Sequence, residues 1–192
     1  YVNIYIGVDP ASTVASRNDY SVIMVLGVTA EYDYYVIEYW RERVLPMECA
    51  DKIFEILKRY NPVRRVNIET VAYQEMLRDY VQKRSKKEGL FVPGIEKGIK
   101  GYTQKKKDRL FEGLQPMFKA GAVHLKKLHH EFIGELLDFP KGSHDDTIDA
   151  FWLATQYAKG NPKAGKKNKE KQKDGTYRSA RKMYDWITGK RV

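Results

Sequence analysis

Short β-rich runs of apolar residues fill the first quarter of the chain. They cover residues 2–8, 20–28 and 33–41, and the polar break between the last two has the length of a hairpin turn. Three neighbouring strands with short connections predict an antiparallel meander.

From Pro46 onward the apolar residues recur mostly at helical spacing, interrupted by short strand-like runs. Helices are predicted over 46–60, 73–88, 106–119 and 128–139, and a last helix is predicted to begin at about His144. Further strands are predicted over 63–69, 90–94 and 122–125, and an exposed loop or hairpin over the Gly- and Lys-rich residues 95–107. This order predicts an α/β fold, with a mixed sheet of three antiparallel strands followed by parallel strands and flanked by helices.

Acidic residues stand where two of the predicted strands end. Asp9 closes the first strand and Glu69 closes the fourth. Ligands of open α/β sheets gather at the carboxyl ends of the strands. If the two strands are adjacent and parallel, their carboxylates lie close together and require a cation between them or a proton on one.

The segment SHDDTIDA, at the start of the last predicted helix, adds a third group of acidic residues. Asp146 and Asp149, three positions apart, can face one point, and so can Asp145 and Asp149. Together with Asp9 and Glu69 they offer only oxygen ligands, which suits Mg²⁺ or Mn²⁺. Taken singly, each has an ordinary explanation: a turn former at Asp9, a surface ion pair at Glu69, a helix cap at Asp145.

The net charge of +10 is concentrated at one end of the chain. Residues 159–192 carry twelve basic and three acidic side chains, whereas residues 1–158 carry 23 and 22. We therefore predict one domain over 1–158 and a basic tail over 159–192 that suits a polyanion, with a merely solubilising tail as the alternative. The single cysteine, Cys49, fits a reducing compartment. No apolar run approaches the roughly 20 residues of a membrane span, so no membrane partner is expected.

Four segments together resemble the nuclease domain of the large terminase subunit of tailed phages, a member of the ribonuclease H-like superfamily. They are IGVDPA at 6–11, with a polar loop and Asp19, Tyr20 and Ser21 at the start of the next strand; IE at 68–69; KKDRLFEGLQPMFKAGAVHL at 106–125; and FPKGSHDDTIDA at 139–150. The last segment is the most specific of the four. The resemblance covers roughly residues 3–158 and implies a ribonuclease H-like sheet.

The resemblance also implies an activity: a metal-dependent DNA endonuclease that cuts concatemeric viral DNA during genome packaging. Asp9 corresponds to the carboxylate that bridges two Mg²⁺ or Mn²⁺ ions, Glu69 to a second ligand, and Asp146 and Asp149 to a third group, with Asp145 adjacent. Related Holliday-junction resolvases carry two acidic residues three positions apart on the last helix, which favours Asp146 with Asp149. The implied chemistry is two-metal phosphodiester hydrolysis, with the ions roughly 4 Å apart.

Several smaller features bear on the same function. Four basic residues are candidate contacts to the DNA backbone, with a solvated helix face as the alternative: Lys105, Lys106, Lys107 and Arg109. His144 is an auxiliary candidate that can orient water or a carboxylate, against the simpler role of a capping or surface histidine. No base-reading element is evident, so cutting is expected to have little sequence specificity.

The chain lacks the G-x-x-x-x-G-K-[ST] signature of a phosphate-binding loop, so it is expected to cut DNA without hydrolysing ATP. It begins on Tyr1, and we expect it to be part of a longer protein. The resemblance implies double-stranded DNA, an N-terminal ATPase domain, the portal and the small terminase subunit as partners, in the cytoplasm of the host cell. The isolated domain is expected to be monomeric.

Two other interpretations compete with this one. A Holliday-junction resolvase or a transposase/integrase-type enzyme has the same fold and the same kind of acidic site. A non-catalytic basic DNA-binding module is a different class of protein, against which four intact carboxylates argue.

Overall fold

Three strands come first and helices are interspersed with strands after them in the computed structural model, which describes residues 2–11, 20–70, 72–95, 99–100, 106–158 and 178–179. The strands of this described part are β1 (Asn3–Asp9), β2 (Ser21–Val28), β3 (Tyr34–Glu42), β4 (Val63–Thr70), β5 (Ile99–Lys100), β6 (Val123–Leu125) and β7 (Arg178–Ser179). Its helices are α1 (Pro46–Tyr60), α2 (Ala72–Glu88), α3 (Lys106–Lys119), α4 (His130–Asp138) and α5 (Asp146–Thr155).

The strands form one mixed sheet in the order β5-β4-β1-β2-β3-β6-β7. The first three strands pair antiparallel, whereas β4 pairs parallel to β1 and β5 parallel to β4. On the other side β6 runs parallel to β3, and β7 pairs antiparallel to β6. The predicted sheet of three antiparallel strands followed by parallel strands is therefore confirmed.

Helices cover both faces of this sheet, which is why every residue of the central strand β2 is buried. One apolar cluster joins alternate residues of β1, β2 and β4 to the buried faces of α1 and α2. The other joins the opposite faces of β1 and β2 to α3, α4 and α5. In the described part of the chain, no helix is both long and apolar enough to cross a membrane.

The predicted strand over residues 90–94 is wrong. Pro93 has no N–H to donate to a ladder, and Gly94 has a φ of 87°, so the backbone turns at this point. A single ladder-like bond remains, from the Val66 N–H to the Pro93 carbonyl at 2.8 Å. The strand beside β4 is formed instead by Ile99–Lys100, inside the segment that the sequence predicted to be a loop or hairpin.

The helix ends agree with the sequence to within about two residues. The helix α1 begins at Pro46 as predicted, and its first turn is closed by the Leu45 N–H, which donates to Glu48 Oε2 at 2.8 Å. Gly121, with a φ of 69°, follows α3 as predicted. The helix α5 begins at Asp146 rather than at His144, since Asp145 has the non-helical backbone of a residue that precedes a helix.

His129 is a buried histidine directly in front of α4. It is 1% exposed, its Nδ1 accepts the Lys126 N–H at 3.3 Å, and its ring meets the edge of Tyr39. Burial, helped by the nearby Lys126 charge, lowers the pKa of His129 to about 4.

Replacing His129 with glutamine is expected to flatten the pH dependence of stability on the acid side. The pKa of His129 is about 6.5 in the unfolded chain and about 4 in the folded chain, so the unfolded chain takes up the proton at a higher pH. The stability from neutral His129 is therefore present above about pH 6.5 and lost as the pH falls towards 4. Urea unfolding at several pH values should show the wild-type free energy falling more steeply, by up to about 1.4 kcal/mol per pH unit.

The exposed neighbour His130, also changed to glutamine, is the matched control for this effect. Equal slopes for the His129→Gln variant and the wild type would contradict a neutral buried His129.

Candidate active site at the carboxyl ends of the strands

Asp9 and Glu69 lie at the ends of two adjacent parallel strands, as the sequence predicted. Val8 of β1 pairs with Ile68 of β4, so the next residue of each strand reaches the same edge of the sheet. Both side chains are partly buried there.

The helix α5 brings its aspartates to this edge because it packs against β1 without intervening side chains. Gly7 of β1 faces Ala150 and Ala154 of α5, and a Cβ atom on Gly7 would overlap the Ala150 carbonyl oxygen and the Ala154 backbone nitrogen. The same contact places the first turn of α5, with Asp146 and Asp149, beside the end of β1.

The charges around Asp9 identify its neighbours. The pKa of Asp9 is raised well above its usual value, first by burial and then by the negative charge of Asp149. Asp146 and Glu69 raise this pKa further, while Lys106 lowers it. Four carboxyl groups that the sequence predicted to form one site therefore interact electrostatically around the end of β1.

Lys106, the first residue of α3, lies inside this group of carboxylates. Its Nζ donates to Asp145 Oδ1 at 2.7 Å and also pairs with Asp149 Oδ2. Burial alone would lower the pKa of Lys106, but the carboxylates of Asp149 and Asp145 outweigh it and raise the pKa. Asp149 is 6% exposed, so Lys106 neutralises an anion that is almost removed from water.

Asp146 occupies a different position, beside His144. Its Oδ2 atom is buried and has no hydrogen-bond partner in the described part of the chain, and His144 Nδ1 lies 3.7 Å from it. The pKa of Asp146 is raised, mainly by burial and then by the charges of Glu135 and Asp145. His144 is thus placed next to a candidate ligand.

Glu135 of α4 fixes the start of α5, and the sequence analysis missed it. It is 8% exposed, and its Oε2 accepts both the backbone N–H, at 2.8 Å, and the hydroxyl of Thr147. Arg41 Nη2 lies 3.4 Å from Glu135 Oε1. The available signal was the helical spacing of Phe132 and Glu135, which puts an acidic residue on the buried face of α4.

Arg41 and Arg43, next to the site, were also missed, and Tyr20 was noted only at the start of the second strand. The guanidinium carbon of Arg41 lies 3.4 Å from the centroid of the Tyr20 ring, and that of Arg43 lies 4.3 Å away. The Tyr20 ring meets His144 edge to face, with their centroids 5.5 Å apart. These contacts join residues far apart in the chain, so no local pattern marks them.

The other predicted contacts to DNA lie partly within and partly outside the described residues. Lys107 is exposed on α3. Lys105 lies outside the described residues, as does the side chain of Arg109 and the tail over 159–192 apart from the two residues of β7.

The carboxylates fit divalent ions in donor chemistry and in charge, but not in arrangement. No group of three or more Asp, Glu, His or Cys side chains among residues 2–11, 20–70, 72–95 and 106–158 converges as a metal site. The ammonium of Lys106 is bonded where the carboxylates of Asp145 and Asp149 approach each other.

The sequence profile of one protein family, described as a terminase RNaseH-like domain, matches residues 6–158. The chain belongs to this family. The mixed sheet is therefore the sheet of a ribonuclease H-like fold, as predicted. This fold is a nuclease fold.

This terminase RNase H-like domain was also compared with solved structures and with curated proteins. Among solved structures it is similar to T. thermophilus RuvC in complex with a Holliday junction substrate, at 12% sequence identity and a TM-score of 0.42. That similarity covers 79% of this chain and 90% of the RuvC chain. A search of curated proteins found no match.

Proposed function

We propose that this terminase RNase H-like domain is an endonuclease that cuts concatemeric viral DNA during genome packaging. Membership of the family supports the nuclease part of the proposal. The observation that carries it is the meeting of Asp9, Glu69, Asp146 and Asp149 around the end of β1. The N-terminal ATPase domain, the portal, the small terminase subunit and the host cytoplasm belong to the same proposal.

Rigid elements hold the four carboxylates. Asp9 and Glu69 are at the ends of paired strands, and Asp146 and Asp149 are on a helix packed backbone to backbone against β1. Such support keeps the backbones of the four residues at one edge of the sheet, so the rearrangement that a divalent ion requires is confined to the side chains. The buried Oδ2 of Asp146, without a hydrogen-bond partner in the described residues, is available as an acceptor at this point.

Mg²⁺ or Mn²⁺, held by Asp9, Glu69, Asp146 and Asp149, would supply the activation of water and the stabilisation of the leaving oxygen. His144 can hold the carboxylate of Asp146 in position from the side of the Tyr20 ring. Asp146 and Asp149 both raise the pKa of Asp9, so these two are favoured as ligands over Asp145, the residue that precedes α5.

A plasmid-cleavage assay tests the proposal directly. Supercoiled plasmid incubated with the protein and Mn²⁺ or Mg²⁺ should be nicked and linearised, and an excess of EDTA should stop the reaction. Plasmid that stays intact under every metal condition, while a gel shift still detects binding, would favour a non-catalytic DNA-binding module instead.

Arg43 is a further candidate contact to DNA, in addition to the predicted Lys105, Lys106, Lys107 and Arg109. Its guanidinium lies over Tyr20, is exposed, and has no acidic partner among the described residues. The Tyr20 ring also contacts His144, which lies beside Asp146, so Arg43 is on the same side of the protein as this carboxylate.

The Arg43→Gln variant is expected to bind a DNA duplex about 3–10-fold more weakly at 0.1 M salt, with the slope of log K against log salt reduced by about 1. Fluorescence anisotropy in EDTA measures this without cleavage. Arg59→Gln is the matched control, because Arg59 also lies over a tyrosine, Tyr60, but pairs with Glu38 and Glu55. An equal loss in both variants would mean that only net charge matters.

A further inference from the structure

We infer that Lys106 is a built-in counter-ion of the acidic site, which holds the metal-free carboxylates together and competes with the divalent ion for them. This role rests on the proposed metal-dependent nuclease. It adds a residue that sets how readily the site takes up metal, whereas the sequence suggested only a contact between Lys106 and DNA.

The position of the ammonium is the first observation. Lys106 Nζ bonds Asp145 Oδ1 at 2.7 Å and pairs with Asp149 Oδ2, so one cation joins the residue before α5 to the first turn of α5. It also acts electrostatically on Asp9 at the end of β1. Lys106 of α3 thus interacts with carboxylates of α5 and β1.

The surplus of negative charge is the second observation. Asp9, Asp146 and Asp149 lie near one another, and Asp149 is almost fully buried. Carboxylates so close together repel unless a cation or a proton compensates them. Among the described residues, the ammonium of Lys106 is bonded to Asp149 of this group and to the adjacent Asp145.

The chemistry of lysine is the third observation. An ammonium is a compact charge with three donors on a flexible stem, so it can leave a site without moving the backbone. The side chain of Lys106 is 46% exposed, which gives it a route into solvent. A divalent ion bound at Asp149 would lie close to the ammonium of Lys106 and be repelled by it, so the two cations oppose each other's binding.

Metal titration followed by thermal unfolding tests this competition without measuring cleavage. The Lys106→Met variant is expected to melt at a lower temperature than the wild type in EDTA. In Mn²⁺ it should show a larger rise in melting temperature and a dissociation constant lowered by about 3–10-fold, as removal of one nearby positive charge implies. Lys107→Met, the exposed neighbour on α3 with the same loss of charge, should behave as the wild type does.

Lys106→Arg keeps the charge and guards against a Met variant that does not fold. A guanidinium pairs with carboxylates through two parallel hydrogen bonds and is harder to displace. This variant is therefore expected to bind Mn²⁺ no more tightly than the wild type. Binding by Lys106→Arg as tight as that of Lys106→Met would overturn the inference.

Two negative results are distinguishable. If Mn²⁺ raises the melting temperatures of the wild type and both Met variants equally, the counter-ion role is wrong while the metal-dependent nuclease stands. If Mn²⁺ shifts none of them, the metal site fails, and the counter-ion role fails with it.

Discussion

Replacing Asp9 with asparagine is expected to slow plasmid cleavage by about 100-fold or more. Loss of a residue that only supports a metal ligand typically costs 10–100-fold, so loss of a central ligand should cost at least as much. The Asn side chain has nearly the same shape but lacks the charge that would hold the ion. The rate of loss of supercoiled plasmid in Mn²⁺ and in Mg²⁺ measures the effect.

The same Asp9→Asn change is expected to stabilise the metal-free protein at neutral pH. The raised pKa of Asp9 means that the folded state binds its proton more tightly than the unfolded state. Its favourable contribution is thus complete at low pH and is lost as the pH rises through the raised pKa. Asparagine removes this loss, so unfolding in EDTA at pH 7 should require more urea than it does for the wild type.

Asp79→Asn, on the exposed surface of α2, is the matched control and should change neither cleavage nor stability. Higher stability with lost activity is the expected signature of a residue whose charge serves function rather than folding. Cleavage by Asp9→Asn at the wild-type rate would show that Asp9 lies outside the reacting site.

Replacing Gly7 with alanine is expected to lower the free energy of unfolding by about 3 kcal/mol or more. The new methyl group would overlap the Ala150 carbonyl oxygen and the Ala154 backbone nitrogen, and would lie 3.0 Å from the Ala154 Cα. Backbone atoms cannot rotate away as the end of a side chain can. The helix α5 must therefore move off the sheet, and urea unfolding monitored by circular dichroism measures the cost.

Gly134→Ala, in the middle of α4, is the control for the same chemical change. A Cβ atom there meets nothing within 4 Å, so the helix should gain about 0.5–1 kcal/mol. Because α5 carries Asp146 and Asp149, folded Gly7→Ala protein should also cleave plasmid more slowly. A Gly7→Ala variant as stable as the wild type would contradict the backbone-to-backbone contact between β1 and α5.

Much of the fold could be predicted because its elements carry strong local signals. The β-rich runs before Pro46 have no helical spacing, and Pro46 and Gly121 mark helix ends through their backbone chemistry. One exception was the strand beside β4. The apolar residues around Val92 predicted a strand over 90–94, whereas the strand found there is β5, Ile99–Lys100. Pro93 and Gly94 turn the chain there, and the two-residue strand that pairs with β4 is too short to leave a pattern.

The site could be predicted in part for a similar reason. The positions of Asp9 and Glu69 followed from the rule that ligands gather at strand ends, and the parallel pairing of β1 and β4 agrees with it. The partner of Asp149 did not follow. That Lys106 turns towards the carboxylates depends on how α3 packs beside α5, which spacing along the chain does not encode.

The pairing of β7 with β6 bears on the length of DNA that the proposed nuclease would need. The strand β7 is four strands away from β1 in the sheet, a separation of about 20 Å at about 4.8 Å per strand. Successive phosphates of one DNA strand are about 3.4 Å apart along the duplex. A duplex that ran across the strands from β7 to Asp9 would therefore extend about six base pairs past the scissile bond on that side.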